Sequence, residues 1–145
     1  MKKPVGAVRA AGMRARLAAA VLCLALPALA PDAHALLAPQ YYEQARREAA
    51  SVIVLEVNAV TLPEEAYGLC QVTGTVRRVE RGSAFAVGQA ARIGVPCATP
   101  DARPPLGGTI YQETARLKAA PYGRAYLDAA GGLALSQYEM LDALP

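Results

Sequence analysis

Apolar positions along this chain change their spacing several times, and each change marks an element. In residues 39–50, PQYYEQARREAA, Tyr42, Ala45 and Ala49 fall on one helical face, while Glu43 and Arg47 stand one turn apart as a favourable i,i+4 pair. A helix this short is not stable alone, so it is expected to pack across a sheet. From Ser51 to Val60 the period drops to two. Ile53, Leu55, Val57 and Ala59 alternate with Val52, Val54, Glu56 and Asn58 in a β-branched run, and Leu62-Pro63-Glu64-Glu65 closes it as a turn.

A second strand is expected from about Leu69 to Arg81, with Cys70, Val72, Gly74 and Val76 on one face. The period then slips, because Val79 rather than Arg78 is the next inward residue. That slip predicts a β-bulge, and Gly74 permits sharp bending nearby. Gly82 to Gly88 forms a connection around Phe85. A third strand, about Gln89 to Cys97, places Ala91, Ile93, Val95 and Cys97 together. Ala98 to Gly107 is a proline-rich loop; Thr109 to Leu117 reads first as strand and then as helix, stopped by Pro121 and Gly123. Arg124–Asp128 and Leu133–Tyr138 flank Ala129-Ala130-Gly131-Gly132 as a hairpin.

The first 35 residues have a different character. Lys2, Lys3, Arg9, Arg14 and Arg16 precede the apolar run Leu17–Ala30, and Ala33-His34-Ala35 offers small residues at both positions a signal peptidase reads. A cleavable secretory signal over residues 1–35 is expected, cut between Ala35 and Leu36, with one domain over residues 36–145. A cut after Ala30 would leave Pro31 just past the scissile bond. The alternative of a retained anchor meets a run shorter than the ~20 residues a spanning helix needs, so no stable membrane span is expected after cleavage. Translation from Met13 would also leave a well-proportioned signal.

Cleavage changes the charge and the chemistry on offer. Removing five of the 15 Lys and Arg and one of the 12 Asp and Glu leaves a net charge near −1, so the precursor's +3 belongs to targeting and gives no ground for nucleic-acid binding. The single histidine, His34, and Cys23 leave with the signal. Cys70 and Cys97 remain, each on the inward face of its own strand. In an oxidising compartment they are expected to pair, which is worth roughly 3–4 kcal/mol by loop entropy. Two buried free thiols, or one intermolecular bridge, are the other arrangements open to them.

From the strand ending near Val60, through CQVTGTVRRVERG and VGQAARIGVPC to Gly107-Gly108, the succession resembles the netrin/TIMP-type OB barrel. The resemblance rests on Val76, Val79, Gly82, Gly88, Val95, Cys97 and the Gly-Gly pair, over about residues 50–115. It implies a mostly β, OB-like barrel, here with a short N-terminal helix. Inhibitors of that family use an N-terminal cysteine to chelate a metalloprotease zinc. The expected mature N-terminus is Leu36, so the resemblance does not extend to that mechanism, and fold alone does not set function.

No catalytic residue, cofactor or metal site is expected. A Ser-His-Asp or Cys-His arrangement needs an imidazole, two cysteines do not make a structural zinc site, and no phosphate loop is present. Nothing in the sequence brings together the acids Glu64, Glu65, Asp101, Asp128 and Glu139, and there is no Trp to support a sugar platform. Arg77, Arg78 and Arg81, with Glu80 among them, form the one concentrated basic patch. They are a candidate contact for an acidic partner or anionic lipid headgroups, or simply the solvated outer face of a strand, paired locally with Glu80. Tyrosine suits interfaces, and Tyr111, Tyr122 and the Ala98–Gly107 loop are the other candidate surface. The expectation is an exported, non-enzymatic binding or structural module with an unknown envelope protein or ligand as partner. An inhibitor or accessory subunit of an envelope enzyme is the alternative.

Overall fold

A computed structural model of the chain describes residues 37–145. The expected signal segment, its cleavage point, Cys23 and His34 lie outside the described residues.

Helix α1 (Pro39–Glu48) leads into β1 (Ser51–Thr61), β2 (Tyr67–Arg81) and β3 (Ala90–Ala98). A two-residue strand β4 (Gln112–Glu113) and helix α2 (Thr114–Ala119) then connect to the hairpin β5 (Tyr122–Leu127) and β6 (Leu133–Leu141). The sheet order is β4-β3-β2-β1-β5-β6, antiparallel throughout except for the short β3–β4 pairing. A three-strand meander, a helical crossover and a hairpin returning beside the first strand give the connectivity of an OB-like, partly open barrel. The sheet curls until the Gln112 Nε2 donates to the main-chain oxygen of Tyr138 on β6, at 3.3 Å. The mostly β barrel with a short N-terminal helix is therefore the fold this chain forms.

The bulge signalled by Val76 and Val79 is present, and it is double. Val54 lies opposite Arg78 and Leu55 opposite Val76, leaving Arg77 over. Ile53 lies opposite Val79 and Val52 opposite Arg81, leaving Glu80 over. A third irregularity corrects the simple alternation expected for β1. Val57 pairs with Gly74 but Ala59 with Thr73, so Asn58 is extra, and Val60 rather than Ala59 packs against the core. Gly74 is needed at this point, because a Cβ there would run into the Glu56 carbonyl oxygen of β1.

Ile53, Leu55, Cys70, Val72, Val76, Val95, Leu117 and Leu127 form the centre of the barrel core. Cys70 and Cys97 are joined across β2 and β3 inside it, with Cα atoms 5.7 Å apart. Such a pair sits within the normal span of a disulfide. On the outer face of β1, Val52 and Val54 are buried too. Glu80 of β2 and Arg124 of β5 flank β1, and their ion pair reaches across it, so the aliphatic stems shield these valines.

Candidate interaction surface

The basic patch is built by the bulges of β2, and each of its cations has a local partner. Arg77 Nη2 lies 2.5 Å from Glu56 Oε2 on the neighbouring strand. Arg78 donates to the main-chain oxygen of Pro145. Arg81 reaches over the end of α1 and donates to the main-chain oxygens of Arg46, Arg47 and Ala49 at 2.9, 2.9 and 3.2 Å. Those carbonyls have no partner within the helix, and a guanidinium fork at the negative end of the helix satisfies them. Glu80 does not pair with the arginines beside it in sequence. It takes a two-point contact from Arg124, which also binds Glu139, while the Tyr126 hydroxyl donates to the other oxygen of Glu139. Hydrogen bonds to Glu80 and Glu139 raise the Arg124 pKa, and burial followed by the contact with Glu139 raises that of Tyr126. This four-residue network ties β2, β5 and β6 together across the outer face.

Of the other candidate acids, Asp128 is engaged in structure. Asp128 Oδ1 accepts the amides of Ala130 and Gly132 and holds the β5–β6 turn. Glu64, Glu65 and Asp101 are exposed and carry no ion pair among the described residues. No group of three or more His, Cys, Asp or Glu side chains among the described residues is placed to hold a metal. No helix among them is long and apolar enough to cross a membrane.

Tyr111 and Tyr122 are placed apart in the sheet. Tyr122 opens β5, in register between Glu56 of β1 and Leu141 of β6. Tyr111 precedes β4 at the β3 edge and meets Tyr67 edge to face, with ring centroids 6.0 Å apart. Tyr67 starts β2, and Leu69 follows on the same outward phase; Tyr67 is 38% exposed and Leu69 56%. Beside this pair, Ala98, Thr99, Pro100, Ala102, Pro104 and Tyr111 line a shallow groove of about 350 Å³. The proline-rich loop forms one wall and is tied down at both ends. The Thr99 amide bonds the Ala66 carbonyl oxygen at 2.8 Å, and the Tyr42 hydroxyl of α1 bonds the Gly108 carbonyl oxygen at 2.9 Å. Between these ties Leu106 stands 68% exposed.

Sequence reasoning named Tyr111 and the loop but passed over Tyr67 and Leu69. Their signal was available: both lie on the odd, outward phase of β2, where large apolar side chains have no core to enter. Comparison with known proteins adds no name to this surface. No family model, curated protein or solved structure matches the chain.

Proposed function

We propose that the protein is an exported, non-enzymatic binding or structural module of the periplasm or cell envelope, and that the Tyr67–Tyr111 end is its contact surface. One observation carries this reading: Tyr67 meets Tyr111 edge to face, and exposed Leu69 follows Tyr67 on the same outward phase of β2, beside a tethered loop whose own Leu106 is exposed. Apolar area grouped in this way marks interaction sites, whereas single exposed apolar residues need no explanation. Tyrosine supplies such contacts with little conformational entropy to lose. The compartment is supported by the Cys70–Cys97 bond, since structural disulfides persist where the environment is oxidising, and by the signal pattern of residues 1–35. The same reading takes the barrel as one of the netrin/TIMP type, supported by the bulged corner at Val76–Val79 and by Gly82 at φ 85°.

A photo-crosslinking residue placed at Tyr111, with a control at Val87, tests the assignment in intact exporting cells. Val87 is also exposed, at 67%, but lies in the β2–β3 connection away from the groove residues. A discrete adduct from position 111 and none from 87 is expected. Equal labelling from both positions, or none from either, would remove the assignment of this end as the contact surface.

A further inference from the structure

We infer that the occupant of the Tyr67–Tyr111 end is a basic polypeptide segment, one that seats an apolar side chain in the groove and holds Lys or Arg against the carboxylates around it. The inference rests on the contact-surface reading above and names the partner's chemistry.

Charge selects this occupant. The fold gathers acids here that are scattered along the sequence. Glu64 and Glu65 stand in the β1–β2 turn, which is bound to the start of the proline-rich loop through the Thr99 amide and the Ala66 carbonyl oxygen. Asp101 lies within that loop, and Glu113 of β4 lines the groove itself. All four are exposed, and none has an ion pair among the described residues. Arg103 is the one cation in this turn, loop and groove wall, so the end carries a net charge of −3. The mature domain as a whole is near −1, so negative charge is concentrated here. Cations on the adjoining elements are placed elsewhere. Arg92 lies six residues before Ala98 on β3, about 20 Å along the strand, and Arg116 of α2 lines a separate hollow with Met140 and Asp142. A second copy would bring like charge to like charge, and nucleic acid or an acidic lipid surface would be repelled.

Shape adds the apolar half of the requirement. Pro100, Pro104 and Tyr111 wall a groove of about 350 Å³, room for an anchoring side chain. The edge-to-face contact of Tyr67 with Tyr111 leaves aromatic surface beside it, over which a cation is also favoured. The loop is ordered before it meets anything. Arg103 and Pro104 each precede a proline, which drives both to extended backbone, and the Thr99 and Ala102 amides are bonded at its start. Little entropy is then lost on docking. The carboxylates come from a turn, a loop and a strand, so a lone small cation meets only some of them, whereas a segment carrying several basic residues meets them together.

Fluorescence anisotropy on the mature protein recovered from exporting cells tests this with three short labelled peptides: repeating Lys-Leu-Arg, repeating Glu-Leu-Glu, and repeating Lys-Gly-Arg. The first is expected to bind, about tenfold or more tighter than either of the others, and to weaken as salt is raised. Neutralising the rim with Glu64→Gln, Glu65→Gln, Asp101→Asn and Glu113→Gln together should cost about tenfold or more, while Arg103→Gln should tighten binding. All five sites are exposed, and Glu113 gives α2 no side-chain cap, so unchanged thermal melting guards against a folding effect. No binding of the first peptide would overturn the inference. So would equal binding of the Glu peptide, equal binding of the Gly peptide, or indifference to the neutralised rim. If the basic peptide fails yet the crosslinker at position 111 yields its discrete adduct in cells, the basic occupant is refuted while the contact surface stands. If neither binding nor adduct is seen, both are refuted.

Discussion

Tyr138 shows how a single residue sets both packing and pH response. It points from β6 into the barrel core and is 5% exposed, and its hydroxyl has no hydrogen-bond partner among the described residues. The ring fits there because Gly123 of β5 has no side chain; a Cβ at that position would collide with the Tyr138 hydroxyl. Burial pushes the Tyr138 phenol up to about 12 from its ordinary 10. The folded state therefore keeps the proton after the unfolded chain has begun to lose it. The stability tied to this proton is fully present below pH 10 and is lost as the pH rises from 10 towards 12, by up to about 1.4 kcal/mol per unit. Replacing the ring by Phe removes a buried hydroxyl that gains nothing from a partner. Tyr138→Phe should be as stable as the parent or more so at pH 7, and its denaturant midpoint should fall less steeply above pH 10. A Phe variant that loses stability at neutral pH would show that the hydroxyl is hydrogen-bonded after all.

At the scale of elements, Arg81 fastens α1 to the barrel. Its guanidinium closes the carbonyl end of a helix that has no buried residue of its own and no N-terminal side-chain cap. Arg46 on the same helix reaches Gln137 on β6 at 2.5 Å, and the Tyr42 hydroxyl reaches Gly108. Arg81→Ala should cost about 1 kcal/mol, with amide exchange in Arg46–Ala49 accelerating well before exchange in β1 or β2. Uniform acceleration across the barrel would contradict a local fastening role.

The same elements show how far the sequence could be read. Period-two runs gave β1, β2, β3 and the β5–β6 hairpin close to their observed limits, and the Val76–Val79 spacing gave the bulge. What escaped was non-local. Asn58 becomes the extra residue in β1 only because Gly74 on β2 lets the backbones approach there. The far end of β6 was missed past Tyr138 because Leu135 and Ser136, at φ 44° and 61°, break its alternation. Arg77, Arg78 and Arg81 read as one patch because they are close in sequence. The bulges send them to Glu56, Pro145 and the end of α1, and no local pattern reports such partners.

The whole molecule combines three properties: a small OB-like barrel, a disulfide across its core, and one apolar end, the contact surface proposed above. The disulfide is the property that bears on the proposed compartment. Both cysteines are fully buried in the cluster that also holds Ile53, Leu55 and Leu127, so the bond closes a 27-residue separation inside the core. By loop entropy it contributes roughly 3–4 kcal/mol, a large share of the ~5–15 kcal/mol typical of a whole domain. The chain's contact chemistry is then free to sit on loops and strand ends that the core does not need. The intact mass of the protein recovered from exporting cells, taken with and without reduction before alkylation, tests this account most directly. The predicted result is a chain beginning at Leu36 that takes up no alkylating reagent until it is reduced, and then takes up two equivalents. A full-length chain with thiols open to alkylation before reduction would contradict it.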